Sequence, residues 1–100
     1  MNRCSVELAL GAEADIREAF TWYRERNALI ADAFRAEVFD CIDRIAQAPL
    51  ARPADEGGDR KRVLRRFPYA VIYEVQASTV TVLAVAHSRR RPSYWTTTKG

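Results

Sequence analysis

Apolar residues recur every three or four positions in two stretches of the first half of the chain. The first stretch includes Ile16, Ala19, Phe20 and Tyr23, and the second includes Ile30, Phe34, Val38, Cys41 or Ile42, and Ile45. This spacing puts the apolar side chains of each stretch on one face of a helix. We therefore predict two amphipathic helices, from Ala12 to about Arg26 and from Ile30 to Ile45. Asn27 separates them, and Pro49 ends the second.

Alternating apolar and polar residues predict β-strands on both sides of the helices. Residues 3–9 alternate loosely before Gly11, whereas residues 48–59 are rich in proline, glycine and charge and indicate an exposed loop. Three further strands are predicted over residues 62–67, 69–76 and 79–87. The last is almost entirely apolar or β-branched, which is typical of a central strand covered on both faces.

The predicted order of elements is β-α-α-β-β-β, which indicates an α+β fold. Two helices joined by so short a break are expected to form an antiparallel hairpin. Such a hairpin can pack its apolar face on a small, mostly antiparallel sheet. A chain of 100 residues has the length of one domain, so we expect a single domain over residues 1–100.

The composition is typical of a soluble globular protein, with 48% hydrophobic and 29% charged residues. Arg3, Ser5 and Glu7 interrupt the first ten residues, which therefore lack the apolar region of a secretory signal peptide. No later apolar run approaches the roughly 20 residues that span a bilayer. A cytoplasmic location is the default expectation.

Two cysteines, Cys4 and Cys41, lie far apart in the sequence. Neither belongs to a C-x-x-C motif or has a nearby pair of histidines, which argues against a zinc site. We expect reduced, partly buried thiols, with a disulfide between them as the less favoured alternative, and we expect the protein to need no metal or other cofactor.

Charge is distributed unevenly along the chain. Residues 1–59 contain 7 basic and 12 acidic residues (net −5), whereas residues 60–100 contain 9 basic and 1 acidic (net +8). A strongly basic second half indicates an anionic partner, either nucleic acid or an acidic protein segment.

Two segments of this basic half resemble a known protein family. Residues 65–73 (RRFPYAVIY) are similar to the pattern R-F-P-Y-x-I-x-Y, and residues 85–95 (VAHSRRRPSYW) are similar to V-x-H-x-R-R-x-P-x-Y-W. Both patterns belong to the ParE-like, plasmid-stabilisation branch of the RelE/ParE superfamily of bacterial toxins. Together with the order of elements, the resemblance covers almost the whole chain.

This resemblance implies a small toxin encoded beside an antitoxin that wraps around it with a helix and an extended segment. Characterised ParE-like members inhibit DNA gyrase without cleaving anything, whereas RelE-like members cleave mRNA on the ribosome. We expect a toxin that acts by protein binding, with DNA gyrase as the inferred target. The alternative is a metal-independent endoribonuclease that acts on ribosome-bound mRNA. A third hypothesis is a small, non-toxic nucleic-acid-binding domain.

A RelE-like nuclease requires cations that bind phosphate and a group that moves a proton. The candidates in this chain are Arg66, His87, Arg90 and Tyr94. RelE-like members carry closely spaced lysines before the second strand, but here Lys61 is the only lysine in that region. His87 closes an apolar strand, a position at which packing and hydrogen bonding are favoured over catalysis.

The same segments predict a surface for the target or the antitoxin. Its candidate residues are Arg62, Arg65, Arg66, Arg89, Arg90, Arg91, Tyr94 and Trp95. Side chains alternate along an extended chain, so at most two of the three consecutive arginines are expected to face one partner. Tyr94 and Trp95 are expected to dock back on the sheet, with exposure in the antitoxin groove as the alternative.

Trp22 lies off the apolar stripe of the first predicted helix. Two interpretations fit this position equally. The ring marks a partner surface, or it is buried under the second helix or the 48–59 loop.

Overall fold

The computed structural model of the protein describes residues 4–89. Its helices and strands follow the predicted order: β1 (Ser5–Leu8), α1 (Leu10–Arg24), α2 (Ala28–Gln47), β2 (Arg60–Val63), β3 (Tyr69–Gln76) and β4 (Thr79–His87). Three residues join the helices, and the side chain of Asn27 caps α2 by accepting the backbone N–H groups of Leu29 and Ile30. Across residues 4–89, neither helix has the length and apolar character needed to cross a membrane.

The four strands form one mixed sheet in the order β1-β4-β3-β2. β1 pairs with β4 in parallel, whereas β3 pairs with both β4 and β2 in antiparallel fashion. β4 therefore lies between β1 and β3, as its continuous apolar sequence predicts. The predicted α+β fold, two helices on a small and mostly antiparallel sheet, is confirmed.

Phe34 lies at the centre of the core between the helices and the sheet. Its side chain is fully buried, with 0% exposure. The ring centroid lies 5.3 Å from those of Tyr23 and Phe67 and 5.2 Å from that of Tyr69. These rings come from α1, α2, β3 and the turn before β3, so one aromatic cluster joins both helices to the sheet.

β4 contains a β-bulge and contributes buried residues to two separate clusters. Ile72 is opposite Ala84 and Tyr73 is opposite Val82, so Leu83 is the extra residue in β4. Ile72, Leu83 and Ala84 belong to a small buried cluster that is distinct from the one around Phe34. The prediction that this strand is buried on both faces is thus confirmed.

Asp15 connects α1 to the part of β4 that extends beyond β1. The parallel pairing ends where Leu8 meets Val82, and Ala9 then donates its N–H to the Val82 carbonyl at 2.9 Å. Three residues further along β4, the Val85 N–H donates to Oδ2 of Asp15 at 3.0 Å. A side chain of α1 therefore takes over the hydrogen bonding of β4 after β1 ends, which fixes the helix against this strand.

The second predicted strand differs from the observed one. Residues 62–67 were expected to be extended, but β2 spans residues 60–63. The chain turns after Val63, since the Leu64 N–H donates to the Tyr69 carbonyl and the Tyr69 N–H donates to the Phe67 carbonyl. Pro68 has no N–H with which to continue a ladder. The five residues 64–68 thus form a turn between β2 and β3.

Candidate protein-binding surface

Most of the predicted site residues that the structure describes lie near one end of the sheet. Arg65 and Arg66 lie in the 64–68 turn, which leads into β3 at Tyr69. Tyr69 pairs with His87 at the end of β4, and Arg89 follows two residues later. The other predicted residues, Arg90, Arg91, Tyr94 and Trp95, lie outside the described residues.

Glu37 of α2 holds the 64–68 turn with its carboxylate. Oε2 accepts the backbone N–H of Arg65 and, at 3.0 Å, that of Arg66. Oε1 accepts the Nε–H of Arg66 at 3.0 Å, which makes the contact an ion pair as well. Two successive backbone donors and one guanidinium therefore converge on a single carboxylate, an arrangement typical of an anion-binding nest.

The environment of Glu37 favours its ionised form. Its side chain is only 9% exposed, and this burial by itself raises the pKa of the carboxyl group. The hydrogen bonds from Arg66 and Arg65, with the positive charge of Arg66, outweigh the burial and leave the pKa below its ordinary value. Arg66 is therefore already paired with an anion, although its side chain remains 70% exposed.

Arg62 occupies a different environment from the two turn arginines. It pairs with Val71, a core residue, and is half-buried. Burial raises the pKa of the Cys41 thiol to about 11, with the charge of Arg62 opposing this effect. Arg62 thus lies close to α2, whereas Arg65 and Arg89 are exposed.

Because its pKa is raised, the Cys41 thiol is protonated at neutral pH.

His87 is held by contacts with its neighbours. Its Nδ1 accepts the backbone N–H of Arg89 at 3.0 Å, and its ring packs edge-on against Tyr69 with 5.0 Å between centroids. These contacts support the packing interpretation of His87. Among residues 4–89, no group of three or more histidine, cysteine, aspartate or glutamate side chains is placed to hold a metal ion.

Trp22 projects from α1 and is 51% exposed. The guanidinium carbon of Arg26 lies 3.7 Å from the centroid of its ring, and Arg26 Nη1 donates to the Trp22 carbonyl at 2.7 Å. Neither α2 nor the 48–59 loop buries the ring. This exposure favours the interpretation of Trp22 as part of a partner surface.

An apolar groove between the helices was missed by the sequence analysis. It has a volume of about 310 Å³ and is lined by Leu8, Glu13, Ile16, Arg17, Phe20, Arg35 and Phe39. Phe39 is 42% exposed and lies one position beyond the predicted core residue Val38. The signal available in the sequence was Phe39, a large apolar side chain that lies outside the apolar stripe predicted to face the core. With its apolar lining and two arginines, the groove matches an amphipathic helix that carries acidic residues.

Two solved structures share this fold. The structure entitled "Chromosomal ParDE TA system from P. aeruginosa" contains a chain that is 18% identical, with a TM-score of 0.75 over 85% of this chain and 96% of that one. A chain of the toxin–antitoxin complex RelBE2 from Mycobacterium tuberculosis is 22% identical, with a TM-score of 0.61 over 87% and 93%. This chain therefore shares its fold with chains of two toxin–antitoxin structures.

The family of this chain is shown by its sequence. The family model described as the ParE toxin of the type II toxin–antitoxin system parDE matches residues 6–92. The chain therefore belongs to the ParE toxin family. None of the curated proteins compared with it matches.

Proposed function

We propose that this ParE-type toxin acts by binding its target, with DNA gyrase as the inferred target, and that a cognate antitoxin neutralises it. The observation that carries the proposal is the hydrogen-bonded ion pair between Glu37 and Arg66. The carboxylate of Glu37 offsets the charge of Arg66, which weakens the attraction of this guanidinium for a scissile phosphate. His87, the other described nuclease candidate, is held by Arg89 and Tyr69. Both side chains have structural partners, which supports a binding role over phosphodiester cleavage.

The groove between α1 and α2 supports an antitoxin as the partner on this face. Ile16, Phe20 and Phe39 offer an apolar floor, while Arg17 and Arg35 outnumber Glu13 in the lining and leave it with a net positive charge. An amphipathic helix with acidic residues beside its apolar stripe is complementary to both features. The resemblance to the superfamily implies an antitoxin that contributes a helix. The RelBE2 toxin–antitoxin complex is a precedent for such a pairing.

Replacement of Phe39 is expected to weaken neutralisation by the antitoxin and to leave the toxicity of the protein unchanged. Expression of the wild-type chain should arrest growth, and co-expression of the product of the adjacent reading frame should restore it. Phe39→Asp removes the apolar ring and places a negative charge where acidic residues of the antitoxin are proposed to bind, so we expect at least about tenfold weaker antitoxin binding and loss of rescue, with toxicity retained. Isothermal calorimetry with purified proteins measures the affinity.

Phe39→Leu is the matched control, because it keeps an apolar side chain and should bind within about threefold of wild type. Thermal unfolding should be nearly unchanged in both variants, since Phe39 is partly exposed. Growth arrest that the adjacent reading frame fails to relieve would contradict the proposed module. If the antitoxin fully restores growth in cells that express Phe39→Asp and binds this variant with unchanged affinity, the antitoxin binds outside this groove.

A further inference from the structure

Two arginines lie at the same level of the groove between α1 and α2. The three-residue link 25–27 makes the two helices antiparallel neighbours. Arg17 lies eight positions before this link and Arg35 lies eight positions after it, so each is about 12 Å from that end of the hairpin. Both line the groove, whose volume is about 310 Å³. The two side chains therefore border the same section of the groove, one from each helix.

Neither arginine has an anionic partner within the described residues 4–89. Both side chains are exposed, and no ion pair or side-chain hydrogen bond of that part of the chain includes them. Glu13 also lines the groove, but it lies four positions further from the link than Arg17, about 6 Å along the helix. Two like charges at one level repel each other, and an anion placed between them removes this repulsion.

A carboxylate has the chemistry to satisfy both arginines at once. Its two oxygens offer about four lone-pair sites, and each guanidinium donates N–H groups in pairs. Hydrogen bonds of this kind, in which both groups are charged, are roughly twice as strong as those between neutral groups. One aspartate or glutamate side chain is therefore enough to pair with Arg17 and Arg35 together.

Apolar side chains lie in the groove on both sides of this arginine pair. Phe20 is three positions nearer the link on α1, and Phe39 is four positions further from the link on α2. Residues three or four positions apart follow one another along one face of a helix. A helix that fits the groove therefore carries an acidic residue between two apolar residues of its contact face. The apolar side chains favour a protein over a nucleic acid as the occupant.

We propose that Arg17 and Arg35 jointly bind one aspartate or glutamate side chain of the antitoxin helix. An apolar residue lies three or four positions away from this acidic residue on either side. The inference rests on the proposed function, which puts the antitoxin in this groove, and adds the charge pattern that the helix must carry. Glu13 restricts that pattern further, because a second acidic residue one turn further from the link would meet a like charge.

Calorimetric titration of the full-length protein with the product of the adjacent reading frame tests this assignment. Arg17→Gln and Arg35→Gln should each weaken binding at least about fivefold, because each loses a hydrogen bond between charged groups. Arg24→Gln removes the same charge from α1 outside the groove and should bind within about twofold of wild type. Glu13→Gln removes the negative charge of the lining and should bind at least as tightly as wild type. Thermal unfolding should be nearly unchanged in all four variants, since these side chains are exposed.

Amide substitutions in the antitoxin identify the carboxylate. Each aspartate or glutamate of the antitoxin is changed in turn to asparagine or glutamine. One of these changes should weaken binding and should also abolish the further effect of both Arg17→Gln and Arg35→Gln, as expected for three residues in one contact. If the two arginines depend on different acidic residues, or on none, the shared carboxylate is wrong.

Failure of this inference differs from failure of the proposed function. If the antitoxin binds wild type and loses affinity for Phe39→Asp, but binds both arginine variants as tightly as wild type, only the arginine assignment is wrong. If the product of the adjacent reading frame does not bind wild type at all, the proposed neutralisation is wrong as well. Sedimentation of the protein alone checks the other occupant, since a dimer that Arg35→Gln abolishes would assign the groove to a second copy of this chain.

Discussion

Replacement of Phe34 with alanine is expected to lower the free energy of unfolding by about 3–5 kcal/mol. The ring is fully buried and contacts the rings of Tyr23, Phe67 and Tyr69 at centroid distances near 5 Å. Removal of the ring loses the stabilisation from its buried apolar area and leaves a cavity that the surrounding rings fill only in part. Such a loss is a large fraction of the roughly 5–15 kcal/mol by which folded domains are stable. Urea unfolding followed by circular dichroism measures it.

Two companion variants keep this prediction testable if Phe34→Ala fails to fold. Phe34→Leu retains most of the apolar volume and should cost about 1–2 kcal/mol. Leu29→Ala removes a side chain that is 78% exposed near the start of the same helix and should change stability by no more than about 0.5 kcal/mol. A Phe34→Ala variant that loses less than about 1 kcal/mol would contradict a core centred on this ring.

Replacement of Glu37 with alanine is expected to cost about 2–3 kcal/mol at neutral pH. The change leaves two backbone N–H groups of the 64–68 turn and the Arg66 guanidinium without the carboxylate they share. Because the pKa of Glu37 is lowered in the folded state, its ionisation stabilises the fold above the ordinary glutamate pKa. That contribution is lost as the pH falls through the lowered pKa. The difference between wild type and Glu37→Gln should therefore shrink on acidification.

Asp40→Asn is the matched control on the same helix. Asp40 pairs with Arg44 one turn away at 3.0 Å, but both side chains are exposed. An exposed pair of this kind contributes about 0.3–0.5 kcal/mol. Equal losses in Asp40→Asn and Glu37→Ala would show that the turn does not depend on the carboxylate. A Glu37→Gln penalty that stays constant down to strongly acidic pH would contradict the pKa argument.

The helices and the central strand were predictable because local sequence determines them. Burial of one helix face requires apolar residues every three or four positions, and the spacing of Phe34, Val38 and Ile45 meets this requirement directly. Burial of β4 in two clusters requires a continuous apolar strand, which residues 79–87 provide. Boundaries were less accurate, since α1 begins at Leu10 and β2 ends at Val63.

The missed features depend on contacts between residues far apart in the chain. Glu37 and Arg66 are separated by 29 positions, and Asp15 and Val85 by 70, so no spacing rule connects them. From sequence, Glu37 is one of several surface charges on a helix, and Arg66 is an available cation. Their pairing shows that Arg66 helps to hold the turn, a role that the sequence did not indicate. Only the fold brings the two charges together.

The measurement that tests the central proposal most directly is plasmid supercoiling by purified DNA gyrase with the full-length protein added. The account predicts that supercoiling falls, or that cleaved plasmid accumulates, as the toxin concentration rises, and that the antitoxin reverses the effect. Undiminished supercoiling at a molar excess of folded toxin, with mRNA cleaved at defined positions on added ribosomes, would contradict it.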